Sequence, residues 1–219
     1  MNSLVITIDG PSGSGKGTTA RGVAKLLSLP HIDSGSIYRT IGYILNNAQI
    51  KEDDDVAIMD FLEDFHMKYS HDGHVLYNNT DIEKQIRSRE NSKHAFQYSR
   101  NPIIRKISTR LQRELLKDGG VLDGRDAGSV VAPDAQLKIY LDCDVTERTR
   151  RRAKQHNITH EEELAELKQE ILDRDKADMN KGDASLVMLS DSVCVDTSGL
   201  TTKEQIDAVY QLALQKMQK

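Results

Sequence analysis

Five short apolar runs punctuate the chain: Val5–Ile8, Leu29–Ile32, Val121–Asp123, Leu137–Leu141 and Val193–Asp196. Each is short enough and apolar enough to read as a buried strand. Helical patterns alternate with them. Ile103, Ile104, Ile107, Leu111 and Leu115 recur at helical spacing before Gly119-Gly120 stops the helix. Thr201 with Glu204, and Thr159 with Glu162, match capping boxes that open later helices. Strands alternating with helices predict an α/β fold, a mostly parallel sheet covered by helices. Ligands then belong beyond the carboxyl ends of the strands. Those ends carry Asp9-Gly10, Asp33-Ser34, Asp123-Gly124 and Asp142.

One stretch breaks the rhythm, from about Phe61 to Ser88. His66–Tyr69 and Val75–Tyr77 flank His71-Asp72-Gly73-His74, which predicts a β-hairpin around an Asp-Gly turn. It stands between helices, so it reads as a small inserted subdomain outside the main sheet. No internal repeat or low-complexity segment is evident.

The first strand runs into Gly10-Pro11-Ser12-Gly13-Ser14-Gly15-Lys16-Gly17-Thr18, followed by a helix over roughly 16–27. Strand, glycine-rich loop, lysine and helix in this order make a phosphate-binding P-loop. The glycines let backbone N–H groups close around phosphate oxygens, and the helix dipole adds positive potential there. Lys16 supplies a mobile charge for the β- and γ-phosphates. The residue after the lysine is ordinarily Ser or Thr, whose hydroxyl touches Mg²⁺; here it is Gly17, with Thr18 next. The expectation is therefore Mg²⁺ bound with ATP chiefly through nucleotide and water, with no side-chain ligand. Gly13, Gly15 and Thr18 half-match a dinucleotide fingerprint, but its third glycine is absent and Lys16 has no role in it.

Composition narrows the class. The chain has 219 residues, enough for one α/β domain with insertions; 37% are hydrophobic and 29% charged. The net charge of −4 offers no electrostatic case for nucleic acid or a membrane surface. No apolar run approaches the ~20 residues that span a bilayer, and no signal peptide is evident. Cys143 and Cys194 read as small buried residues and not as a disulfide or metal site. A cytoplasmic monomeric enzyme is expected.

Three further segments carry chemistry. Asp33-Ser34-Gly35-Ser36-Ile37-Tyr38-Arg39 offers a helix N-terminus with an arginine one turn inward, suited to a second phosphate. Asp123-Gly124-Arg125-Asp126 sets an arginine between two carboxylates on a glycine-flexed loop. Arg148-Thr149-Arg150-Arg151-Arg152 opens a predicted helix whose arginines can act on a transferring phosphoryl group. Arg174, Asp178 and Lys181 follow at spacings of four and three, on one helical face.

Together these segments resemble the bacterial cytidylate kinase family. Val130-Val131-Ala132-Pro133-Asp134-Ala135, Arg174-Asp175 with Asp178 and Asn180, and Val195-Asp196-Thr197 extend the match over nearly the whole chain. The resemblance implies a single P-loop kinase domain with a five-stranded parallel core. It also implies an inserted nucleoside-monophosphate-binding subdomain at about 39–100 and a short lid at about 148–166. It implies transfer of the γ-phosphoryl of ATP to CMP or dCMP. Ser34, Arg39 and Arg125 would hold the acceptor phosphate, Arg105 and Asp126 would face the cytosine, and Arg174 and Asp178 the ribose, with Lys181 a further CMP contact. Arg148 and Arg151 or Arg152 would belong to the lid. Lys16, Arg125, Arg148 and Arg151 would carry the catalytic charge. Two positions depart from the family pattern: Lys181 stands where Arg is usual, and Phe96 where a small Ser often touches the base. Asn180-Lys181-Gly182-Asp183 spells the guanine-reading motif of GTPases, but it follows a charged helical stretch and not an apolar strand. A non-catalytic nucleotide-binding module is the remaining alternative.

Overall fold

The computed structural model describes residues 4–70, 72–180 and 182–218. The elements in chain order are β1 (Val5–Asp9), α1 (Lys16–Leu27), β2 (His31–Asp33), α2 (Ser34–Asn47), α3 (Asp55–Leu62), β3 (Lys68–Tyr69), β4 (Val75–Tyr77) and β5 (Thr80–Asp81). There follow α4 (Glu83–Ile86), α5 (Arg89–Tyr98), α6 (Pro102–Leu115), β6 (Gly120–Gly124), a π-helical turn (Ala127–Val131) and β7 (Leu137–Asp142). The chain finishes with α7 (Val145–His156), α8 (Glu161–Met179), β8 (Val193–Asp196) and α9 (Thr202–Met217). Two compact units emerge, one of residues up to Ile32 and from Leu115 onward, the other Asp33–Glu114.

In the first unit the five expected runs form a five-stranded parallel sheet ordered β2-β6-β1-β7-β8. Ile6 and Ile8 on the central strand are fully buried against Val23, Ala24 and Val209 of α1 and α9, and Leu137, Ile139 and Leu141 complete this core. Burying each such side chain contributes about 1.5–3 kcal/mol. The register matters most for function: Asp9 pairs with Gly124, so the loops after β1 and β6 leave the sheet side by side.

Several boundaries differ from the sequence reading, three of them for a clear local reason. β2 starts two residues late because Ser28, at φ 54, and Leu29 close α1 with backbone bonds to Lys25 and Ala24. The capping box at Thr201 and Glu204 forms, whereas the one at Thr159 does not: His160 is the N-cap of α8 and bears no side-chain cap. Glu161, Glu162 and Glu163 instead place negative charge on the dipole of that first turn. The basic run lies inside α7 and does not open it, because Asp144 caps the helix with N–H bonds from Thr146 and Glu147. Cys143 is buried, but Cys194 is exposed on the edge strand β8; both are free thiols.

In the second unit β3 and β4 pair as an antiparallel hairpin, with Gly73 at φ 79 in the turn; His71 lies outside the described residues. The sequence reading missed a third strand, β5, paired to β4 through Tyr77 and Thr80. Asn78 and Asn79, at φ 48 and 60, supply the two left-handed positions of a tight primed turn. Asn-Asn is a weaker signal for that turn than Asn-Gly. α2 and α5 lie close in this unit, a Cβ on Gly42 falling 2.8 Å from the Ala95 backbone nitrogen.

Candidate active site

The loop between β1 and α1 is held from outside, at its carbonyls and at the Ser12 amide. Arg148 donates through Nη1 to the Ser12 carbonyl at 3.1 Å and through Nε to Cys143 at 2.9 Å. Arg151 donates to the Ser14 carbonyl at 3.3 Å and to Thr197 O at 2.6 Å, and Thr197 Oγ1 donates to the Ser14 carbonyl at 3.0 Å. With carbonyls engaged on that side, the peptide planes between Ser12 and Gly15 are fixed. Gly15 is the N-cap of α1 at φ 97 and carries no side-chain cap, so the first amides of the helix face the loop.

Lys16 is 6% exposed and its Nζ donates to the Pro11 carbonyl at 2.7 Å, bridging its own loop. Burial, and then the Arg125 guanidinium nearby, hold this ammonium well below the usual lysine range; Asp123, Asp9 and Asp178 oppose the shift. Five charged side chains from β1, α1, β6, the loop after it and α8 thus share one neighbourhood. Arg125 is anchored there, Nε to Asp178 Oδ2 at 2.8 Å, with Asp178 3% exposed. Arg174 lies one helical turn before Asp178 on α8.

Asp123, the penultimate residue of β6, has one carboxylate oxygen 2.7 Å from His31 Nε2. Its other oxygen lies 3.6 Å from where a Cβ on Gly17 would sit. A hard cation carried in by a triphosphate and its water shell fits that arrangement: one carboxylate stands beside the loop, and Gly17 contributes no hydroxyl. Among the described residues no cluster of three or more His, Cys, Asp or Glu forms a metal cage.

The second unit gathers arginines at the N-terminus of α2. Asp33 caps α2, accepting from Ser36 N at 3.0 Å, and is paired with Arg87 at 2.9 Å and Arg39 at 3.8 Å. A Cβ on Gly35 would meet the Arg39 guanidinium nitrogens at 3.1 and 3.2 Å. Glycine there lets Arg39 lie against the helix N-terminus beside Ser34. Arg105 on α6 stands with its guanidinium carbon 6.0 Å from the Tyr38 ring, and Arg100 sits 4.7 Å over Phe96.

The P-loop of Gly10–Thr18 therefore lies beside Arg125, Arg148, Arg151 and Asp178 in one unit, while Ser34, Arg39 and Arg105 belong to the other. Lys181 lies outside the described residues. Sequence reasoning assigned no role to Asp9, Asp175, Thr197 or Arg87. Asp175 accepts from Ser12 N at 3.1 Å and pairs with Arg148, and Thr197 holds Ser14. Only the adjacency of Asp175 to Arg174 in the family motif pointed at it. The GTPase alternative loses its context, since Asn180 caps the end of α8 and follows no strand.

A family model described as cytidylate kinase matches residues 6–215. The chain is 39% identical over 212 residues to a cytidylate kinase of Symbiobacterium thermophilum, covering 94% of both proteins. It is 37% identical over 211 residues to a cytidylate kinase of Halalkalibacterium halodurans, covering 93% of this chain and 94% of that one. Among solved structures, an uncharacterized protein from Eubacterium ventriosum superposes with TM-score 0.58 at 14% identity, over 97% of this chain and 99% of that one. A gluconokinase from Sinorhizobium meliloti superposes with TM-score 0.50 at 15% identity, over 98% and 93%. At such identities the structural likeness speaks for the fold alone.

Proposed function

The chain belongs to the cytidylate kinase family, and from that premise we propose that it transfers the γ-phosphoryl group of ATP to CMP or dCMP. The products are ADP and CDP or dCDP, and the reaction belongs to pyrimidine nucleotide metabolism. The observation that carries this reading is the register of β1 with β6. It brings a P-loop and an Asp-Gly-Arg-Asp loop to the same end of adjacent strands.

The acceptor is a phosphate monoester with a second pKa of about 6, so its attacking oxygen is already largely ionised at neutral pH. No general base is needed, and catalysis is alignment of two anions with neutralisation of the charge between them. The P-loop amides and Lys16 bind the ATP phosphates. Arg125, Arg148 and Arg151 are assigned to the charge that develops on transfer. Ser34 and Arg39, with Arg125, take the CMP phosphate; Arg105 and Asp126 read the cytosine; Arg174, Asp178 and Lys181 complete the acceptor contacts. Mg²⁺, bound with ATP chiefly through nucleotide and water and with Asp123 beside it, would neutralise the β- and γ-phosphates.

The acceptor-binding subdomain is proposed at about 39–100 and the lid at about 148–166 of a single kinase domain. Among the described residues no helix is long and apolar enough to cross a membrane. A cytoplasmic monomer with no nucleic-acid partner completes the reading. A coupled ADP-release assay with ATP against CMP, dCMP, UMP, AMP, GMP and dTMP tests it. Strongest stimulation by CMP or dCMP is expected. Turnover no greater with CMP than with the other monophosphates would overturn it.

A further inference from the structure

Asp9 is the last residue of β1, immediately before the P-loop, and is 7% exposed. Each carboxylate oxygen accepts one backbone N–H: Oδ1 from Ala127 at 2.9 Å, Oδ2 from Gly128 at 2.8 Å. Those two amides open the π-helical turn that follows Arg125-Asp126 directly. We propose that Asp9 is a positioning residue for acceptor recognition, fixing to the donor strand the backbone from which Arg125 and Asp126 project. The inference rests on the reading above, in which those two side chains bind CMP.

The two sides of this link are unequally held. β1 is hydrogen-bonded in parallel to β6 on one flank and β7 on the other. The loop beyond it is braced by Arg148, Arg151 and Thr197. The strand side is therefore the fixed end. Within the turn, Val130 N bonds to the Asp126 carbonyl and Ala132 N to the Ala127 carbonyl, bonds that maintain its own shape. Asp9 sets where that shape begins. Its chemistry suits the task, because among side chains of this length only a carboxylate offers an acceptor on both arms. Asparagine would turn a donor toward one of the two N–H groups. Asp9 is also committed to these amides, so it is not a spare base for a reaction that needs none.

The burial of this carboxylate against its own solvation supports the assignment. A charge that only filled space there would be replaced at a gain, whereas two charge-assisted bonds from consecutive amides give it a reason to stay. Gly128 closes the arrangement from the other side: a Cβ there would meet Thr7 Oγ1 at 2.9 Å and Asp9 Oδ2 at 3.4 Å. Thr7 Oγ1 is buried and has no hydrogen-bond partner among the described residues, so this contact is steric.

Steady-state kinetics of the full chain with ATP and CMP decide the matter. Asp9→Asn should raise KM for CMP about tenfold, the loss of one charge-assisted bond, and leave KM for ATP within about twofold. Gly128→Ala strains the same bonds from the turn and should give the same CMP-selective rise. Thr7→Ala added to Gly128→Ala removes the obstructing hydroxyl and should restore KM for CMP. Folded Asp9→Asn with both KM values unchanged, or rising together, overturns the proposal. Should Asp9→Asn fail to fold, a non-selective Gly128→Ala, or one that Thr7→Ala does not rescue, overturns it equally. Absence of CMP preference in the wild type would defeat the functional reading itself, a different outcome from wild-type preference with a non-selective variant.

Discussion

Arg148 of α7 and Asp175 of α8 form a buried ion pair, each side chain 8% exposed, and the second oxygen of Asp175 takes the N–H of Ser12 in the P-loop. One loop residue is thus gripped at both ends of its peptide, because Arg148 also binds the Ser12 carbonyl. Arg148, to which the family resemblance gives a catalytic charge, is in the fold a brace for the phosphate loop.

Arg148→Ala should accordingly be measured for stability as well as rate. It leaves the Asp175 carboxylate buried without its cation, a loss of about 3–5 kcal/mol in comparable buried pairs. Urea unfolding of Arg148→Ala should show that loss. An unchanged midpoint with reduced kcat would mean that the pair contributes nothing to the fold.

On the proposed role, Lys16→Ala removes a charge-assisted contact that strengthens as the γ-phosphoryl leaves. Such a bond contributes on the order of 1.5–3 kcal/mol, more where water is excluded. A fall in kcat of at least roughly tenfold to hundredfold is expected, with KM for CMP less affected. Near-normal turnover in the folded variant would contradict the phosphate role of Lys16.

Asp9 gives the pH dependence. Burial, partly offset by the two amide bonds, pushes its carboxyl from 3.8 up to about 6. A folded-state value above the unfolded one means that the fold binds this proton more tightly. Its ionisation therefore costs stability above pH 6, and stability returns as pH falls from about 6 toward 4. The gap is worth on the order of 3 kcal/mol, about half of it regained by pH 5. Comparison with Asp9→Asn cancels the other titrating groups, so the wild type should gain on the variant as pH drops from 7 to 5. Parallel stability curves would contradict a raised Asp9 pKa.

Thr201→Ala tests the local account of α9. The hydroxyl accepts from Glu204 N at 3.3 Å and the Glu204 carboxylate accepts from Thr201 N at 2.8 Å. Losing this cap costs about 1 kcal/mol. Thermal unfolding should register it while kcat and both KM values stay unchanged.

What could be read in advance followed the chemistry of each signal. The five strands and the P-loop were legible because apolar runs and glycine spacing are written in consecutive residues. β5 escaped because its turn is Asn78-Asn79, whose left-handed positions leave a fainter imprint than glycine. Thr159 misled because a capping box is a pattern of two residues, and His160 one place later took the cap. Asp9 and Asp175 were visible as letters but not as anchors. Their partners, Ala127, Gly128, Ser12 and Arg148, lie far away in the chain, and backbone amides leave no mark in a sequence.

The central claim is that the loop after β6 presents a cytosine-reading carboxylate to an acceptor phosphorylated by ATP. Cytosine offers an exocyclic amine that Asp126 can accept from, whereas uracil presents an oxygen there and leaves that acceptor unpaired. The most direct test is the ratio of kcat/KM for CMP to that for UMP in the wild type and in Asp126→Ala. The account predicts a large ratio in the wild type that shrinks in the variant, CMP losing far more activity than UMP. Equal losses for both substrates, leaving the ratio unchanged, would contradict it.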